Sequence, residues 1–134
     1  MENEKEAVTR ILLDYYRAFS ELDPQAITPY CNVPTLFIGP QGVFAATTHD
    51  AMVAAFTTFM EGLRKRGFGR SELSGLTVKL LGANTALAAG IATRYQADGQ
   101  ELDRVGVTYL TQKADSGWKI SVNVIHDTDH ASAG

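Results

Sequence analysis

The sequence predicts an α+β domain: three helices, mostly in the amino-terminal half, packed on one face of an antiparallel sheet. Three features carry that reading. Apolar residues recur at steps of three and four between Val8 and Leu22 and again between Met52 and Leu63, the spacing of helices with one buried stripe. From Leu73 onward the period changes to two, the mark of strands with distinct faces. The joints between those strands, Gly82-Ala83-Asn84, Asp98-Gly99 and Asp115-Ser116-Gly117, are short enough to force antiparallel neighbours.

In order along the chain, Val8, Ile11, Leu12, Tyr15, Phe19 and Leu22 place a first helix over most of the span from about Glu4 to Leu22. Asp23-Pro24 opens a short second helix, about Pro24 to Tyr30, because an Asp side chain caps free amides and Pro fits the first helical position without losing a bond. Pro34 interrupts the next stretch, so Thr35 to Gly39 and Val43 to Ala45 read as two short strands around Gly39-Pro40-Gln41-Gly42. Thr47 or Thr48 caps a third helix with Asp50 in its first turn and Met52, Phe56, Phe59, Met60 and Leu63 on its apolar stripe. Arg64, Lys65 and Arg66 suit its negative end, and Gly67 stops it. Four strands follow, roughly Leu73 to Leu81, Thr85 to Ala97, Leu102 to Lys113 and Trp118 to Asp127, the middle pair joined through Asp98-Gly99. Residues 1–134 read as one domain, with His130 to Gly134 a loose tail.

Composition narrows the function classes. A net charge of −3 gives no general attraction to nucleic acid or to an anionic membrane surface. Cys31 is the only cysteine, which excludes an intrachain disulfide and a zinc site made of thiolates alone, and fits a reducing compartment. Met1 to Glu6 is charged where a secretory leader is basic and then apolar, and no apolar run approaches the ~18 residues of a membrane helix, so a cytoplasmic location is expected. No spacing of His, Cys, Asp and Glu suggests a metal site, and no motif calls for a cofactor.

Strand faces bear on partners. Leu87, Ala89, Ile91, Thr93 and Tyr95 share one side of their strand, the alternation expected of a buried face. In the last strand Trp118, Ile120, Val122, Val124 and His126 fall on one face, opposite Lys119, Ser121, Asn123, Ile125 and Asp127. The preceding strand opposes Val105, Val107 and Tyr109 to Leu102, Gly106, Thr108 and Leu110. Neither face is polar throughout, and the helices cover only one, so a twofold homodimer through the other is expected.

This order of elements resembles the NTF2-like superfamily, with its cystatin-like fold, and in particular the SnoaL-like branch. The segments that carry the likeness are Leu22-Asp23-Pro24-Gln25-Ala26-Ile27, His49-Asp50-Ala51-Met52, Leu81-Gly82-Ala83-Asn84-Thr85-Ala86 and Asp115-Ser116-Gly117-Trp118-Lys119-Ile120. The resemblance implies a cone in which a curved antiparallel sheet wraps the helices and leaves an apolar pocket open at one end. Its members include steroid isomerases, polyketide cyclases, dehydratases, epoxide hydrolases and non-catalytic association domains, so the fold alone selects no activity.

The steroid isomerase pattern provides a test. Its helix-one tyrosine matches Tyr15, whose phenol would donate to a developing oxyanion. Its carboxylate base matches Ile38 or a neighbour, and Thr35-Leu36-Phe37-Ile38 holds no ionisable group. Its protonated acid falls at Thr108 or Tyr109, whose hydroxyls donate but do not shuttle a proton near neutral pH. Classical ketosteroid isomerisation is therefore not expected. Dehydratase-like members use histidine, and of the three histidines only His126, at the end of the last strand, is placed for proton transfer. A catalytic version would pair Tyr15 as oxyanion donor with His126 as proton carrier.

Tyr15, Phe19, Phe37, Phe56, Met60 and Tyr109 would line one apolar cavity or form plain core, with Asn123 able to orient a ligand there. Arg94 and Arg104 would either meet a ligand carbonyl or carboxylate, or pair with Glu101 or Asp103 at the hairpin rim. Arg64, Lys65, Arg66 and Arg70 would attract an anion or simply serve the helix end. The leading expectation is a homodimer that binds a small apolar or aromatic molecule. An acid–base isomerase, cyclase or dehydratase using the same pocket is one alternative, and a non-catalytic association module whose pocket is self-filled is the other.

Overall fold

The computed structural model describes residues 3–133. Helix α1 spans Glu4–Phe19, α2 spans Pro24–Ile27 and runs into a 3-10 turn at Thr28–Tyr30, and α3 spans His49–Lys65. The strands are β1 (Cys31–Gly39), β2 (Gly42–Ala46), β3 (Phe68–Leu80), β4 (Thr85–Gln96), β5 (Glu101–Ala114) and β6 (Gly117–His126). They form one six-stranded sheet in the order β2-β1-β6-β5-β4-β3, with the long helices packed on one face.

The helix starts follow from their caps. Asn3 accepts from the Glu6 amide at 2.9 Å, Asp23 from the Gln25 amide at 3.0 Å and Thr48 from the Ala51 amide at 3.0 Å. The first helix ends three residues before Leu22, which takes a left-handed φ of 55°. That conformation is costly for a branched side chain. Here the Leu22 side chain is buried, and its carbonyl accepts from Arg64 Nη2 at 3.0 Å.

Two expectations about the sheet are corrected. The sheet is mixed, because β1 runs parallel to β6, pairing Phe37 with Asn123 and Ile38 with Val124. Pro34 does not interrupt β1: the strand passes through a cis Val33–Pro34 bond, within an irregular stretch between Cys31 and Leu36 where the missing proline N–H disrupts no ladder. In addition, β3 begins five residues earlier than expected, at Phe68.

Register fixes the faces. Ala86, Ala88, Gly90, Ala92 and Arg94 of β4 point to the helices, opposite Thr111, Tyr109, Val107, Val105 and Asp103 of β5. The helix-facing set is thus the small-residue phase, and the larger Leu87, Ile91 and Tyr95 lie on the outer face. Small residues there leave room for the α1 side chains Val8, Leu12 and Tyr15, all buried. A β-bulge in β6, between the pairs Leu110–Val122 and Thr111–Ile120, inverts the alternation within that strand. Trp118 and Ile120 therefore share the inner face with Asn123 and Ile125, while Val122, Val124 and His126 are outside.

Beyond β6 the chain forms a 3-10 turn at Thr128–His130, and the Ala133 amide donates to Thr77 Oγ1 at 2.7 Å. Gly134, the last residue of the expected tail, lies outside the described residues. Among the described residues no helix is long and apolar enough to cross a membrane.

Candidate functional site

The inner face gathers an aromatic cluster between α1, α3 and the sheet. Tyr15 and Phe19 come from successive turns of α1, and Tyr109 from the middle of β5. The Tyr15 ring centroid lies 6.2 Å from Phe19 and 6.2 Å from Tyr109, the latter edge-on at 71°. Phe37 of β1 meets Phe56 of α3 at 5.5 Å and 84°. Met60 is 1% exposed, and Asn123 sits opposite both Tyr109 and Phe37 in register. Tyr15, Phe19, Phe37, Phe56, Met60, Tyr109 and Asn123 are thus brought to one side of the sheet. The Tyr15–Tyr109 and Phe37–Phe56 pairs are edge-on and the Tyr15–Phe19 pair is tilted, ring arrangements typical of a core.

His126 is elsewhere. Its ring lies on the outer face over Gly106, where Nδ1 donates to the Asp127 carbonyl and Nε2 meets Thr108 Oγ1, each at 2.7 Å. Gly106 is required there, since a Cβ would lie 2.6 Å from His126 Nδ1. The sheet therefore separates His126 from Tyr15, and the expected donor–proton carrier pair does not meet. The change follows from the β6 bulge.

Sequence reasoning missed Tyr16 and the depth of Arg94, although the pairing of Arg94 with Asp103 is one of those expected. Tyr16 is buried, and its hydroxyl is 2.5 Å from that of Tyr109. Arg94, 10% exposed at its side chain, donates Nη1 to both oxygens of Asp103 at 3.1 and 3.2 Å. The same Asp103 forms an ion pair with Arg66, Nη1 to Oδ2 at 3.0 Å. Phe59, assigned to the buried stripe, is 39% exposed, and its ring centroid lies 5.4 Å from the Arg94 guanidinium carbon. The pattern of small residues Ala86, Ala88, Gly90 and Ala92 was the available signal, because it marks the phase that faces bulky helix side chains and so places Arg94 inside.

Electrostatics make these groups donors. Burial pushes the Tyr15 phenol well above its usual range, with Cys31 and Tyr16 adding to the rise while the Arg94 charge and a contact with Asn123 oppose it. Burial likewise pushes Tyr16 up to about 12 and raises Tyr109. The Cys31 thiol is pushed up to about 12 by burial, which leaves it unreactive near neutral pH.

Other charges are spent locally. Arg104 pairs with Glu101 at 2.9 Å, as the rim reading expected, and Arg70 pairs with Glu72 at 3.2 Å while lying over the Tyr95 ring. Among the described residues no group of His, Cys, Asp and Glu is placed to hold a metal ion. Two surface depressions lie away from the aromatic cluster. One, of about 400 Å³, runs along the outward side of α1; the other, of about 460 Å³, lies between Lys5, the Thr77–Leu80 end of β3 and Ala133.

A family model described as NTF2-like protein (DUF6841) matches residues 3–128. A search of curated proteins found no match. Among solved structures, the chain is similar to an NTF2-like protein with a cystatin-like fold from Novosphingobium aromaticivorans, at 13% identity and TM-score 0.78, covering 96% of this chain and 84% of that one. It is also similar to a protein of unknown function with a cystatin-like fold from Nostoc punctiforme, at 11% identity and TM-score 0.76, covering 91% and 89%. An NTF2-like protein of unknown function from Shewanella oneidensis matches at 18% identity and TM-score 0.74, covering 92% and 98%. At these identities the likeness establishes the fold.

Proposed function

This chain belongs to the NTF2-like family DUF6841, and we propose that it acts as an association domain that pairs with a second copy of itself through the outer face of its sheet. The observation that carries the proposal is a pair of rows running across the strands that are apolar except for Thr108. Leu36, Val122, Leu110 and Leu87 form one row; Ile38, Val124, Thr108 and Ala89 form the next. All but Ala89 are part-exposed, and the helical core lies on the opposite face.

The face is large enough. Six strands at a spacing of about 4.8 Å and a rise of about 3.3 Å per residue give a footprint on the order of 800 Å², which matches the ~800 Å² per partner of a stable interface. A twofold axis through the rows would lay one copy's aliphatic side chains against the other's. The reading accords with an interior occupied by its own aromatic rings.

Sedimentation or light scattering tests it. The expected species has twice the 14.5 kDa chain mass. Val124→Lys places two charges in the symmetric interface and should weaken pairing at least ~100-fold while the chain stays folded. A wild-type protein that is monomeric at high micromolar concentration overturns the proposal.

A second reading, binding of a small apolar or aromatic molecule in a SnoaL-like cone, draws support from the convergence of Tyr15, Asn123 and Arg94 on one aromatic cluster. The acid–base variant of that reading lacks a partner for Tyr15, since His126 is across the sheet.

A further inference from the structure

We propose that the Nε–Nη2 edge of Arg94 is a binding site for a small carboxylate carried on a flat aromatic body. The site does not depend on sheet pairing. Arg94 stands on the inner face of β4, in phase with Gly90 and Ala92, and nine-tenths of its side chain is buried. The protein engages only one of its nitrogens, Nη1, which both oxygens of Asp103 share. Nε and Nη2 donate to no protein acceptor among the described residues. No solvent-sealed polar side-chain atom lacks a partner among those residues, so this edge keeps contact with water.

Its surroundings are aromatic. Phe59, 39% exposed, lies with its ring centroid 5.4 Å from the guanidinium carbon, and its ring is 5.8 Å from that of Phe19. The nearest phenols, Tyr15 and Tyr16, are close enough for the Arg94 charge to act on them.

Charge selects the ligand. Asp103 is shared between Arg94 and Arg66, so one carboxylate faces two guanidiniums, and the cluster keeps one positive charge in excess within a protein of net charge −3. A single carboxylate removes that excess. Its two oxygens match the parallel N–H groups of the open edge, the bidentate geometry in which arginine exceeds lysine. An aromatic body attached to it would replace water at the exposed face of Phe59. A phosphate brings a second charge and no apolar surface, and suits the site less well.

The test is a titration of the full-length ¹⁵N-labelled chain at neutral pH and constant ionic strength, following the arginine Nε–Hε signals. The probes are benzoate, benzamide as its uncharged counterpart, and inorganic phosphate. Benzoate should shift the Arg94 signal saturably, and benzamide should bind about tenfold more weakly or worse, the loss expected for a charge-assisted pair. Arg94→Lys keeps the charge but not the fork and, followed through the Arg66 Nε–Hε signal and the β4 backbone amides, should weaken benzoate at least ~10-fold. Arg66→Gln changes a half-exposed residue, removes the excess charge without touching Arg94, and should weaken benzoate severalfold. Equal binding of benzoate and benzamide overturns the proposal, as does phosphate matching benzoate at the same signal. So does an unmoved Arg94 signal at the solubility limit of benzoate, or wild-type binding in both folded variants.

Discussion

The Tyr16–Tyr109 contact allows a quantitative test of how the interior is held. Both hydroxyls are buried, 7% and 2% exposed by residue, and they lie 2.5 Å apart across α1 and β5. One hydroxyl must donate and the other accept. Removing either by Tyr→Phe leaves its partner buried without that bond, which costs about 1–3 kcal/mol. Removing both leaves two apolar rings of nearly unchanged shape, and the double variant should lie within about 1 kcal/mol of wild type. The two changes are therefore strongly non-additive, with a coupling of about 1–6 kcal/mol in a double-mutant cycle. Trp118 provides the probe, being the sole tryptophan, 6% exposed, with its Nε1 donating to Glu4 at 3.1 Å. Urea unfolding followed by its fluorescence, at one fixed protein concentration so that self-association does not move the midpoint, yields all four free energies. A double variant that loses the sum of the single losses refutes the reasoning, because the bond would then contribute independently of the desolvation of its partners.

Alkaline pH tests the same cluster. Burial holds Tyr16 near 12 and raises Tyr15 and Tyr109, so between about pH 10 and 12 the unfolded chain releases protons that the folded chain keeps. Stability present below about pH 10 should then fall by about 1 kcal/mol per pH unit for each of these tyrosines, read as a falling urea midpoint. A midpoint constant through that window contradicts the assignment. On the outer face, Gly106→Ala drives a methyl group into the His126 ring and the Asp127 carbonyl, and should cost about 2 kcal/mol through overpacking and the loss of the Thr108 contact. A change below about 0.5 kcal/mol in urea unfolding would show that the ring yields freely.

Local chemistry was legible in the sequence wherever cause and effect lie a few residues apart. Asp23 and Thr48 cap amides two and three positions downstream, so both helix starts could be read directly. The turn Asp98-Gly99 joins strands whose pairing begins at Tyr95 and Glu101. Long-range choices were not legible. The parallel pairing of Phe37 with Asn123 links residues on opposite sides of the chain's hairpins, and nothing within either strand encodes it. Which phase of β4 meets the helices could not be read, because large residues suggest a buried face without saying what covers it. The helices bring their own bulk, and the sheet answers with Ala86, Ala88 and Ala92, all at or below 2% exposure. Arg94 was weighed at the hairpin rim, and its pairing with Asp103 does lie there; the side chain's position beneath Phe59 depends on α3, which no local pattern places.

The bulge in β6 has the largest functional consequence. It falls in Ile120-Ser121-Val122, where no glycine or proline announces it, and Ser121 accepts instead from Asn32 Nδ2 at 2.8 Å. Without that extra residue His126 would face Tyr15 and Asn123 would face outward. With it, the polar groups near Tyr15 are Asn123, the Tyr16 and Tyr109 hydroxyls held protonated by burial, and the Arg94 guanidinium. The nearby carboxylate of Asp103 is already shared by two guanidiniums. Asn123, the two phenols and the Arg94 guanidinium can each donate a hydrogen bond, and none of them is a free base near neutral pH. An interior equipped this way favours an acceptor, and an anionic acceptor most of all, and none of the groups named beside Tyr15 is placed to carry a proton away. One extra residue in a strand thus decides which polar groups share a face with Tyr15.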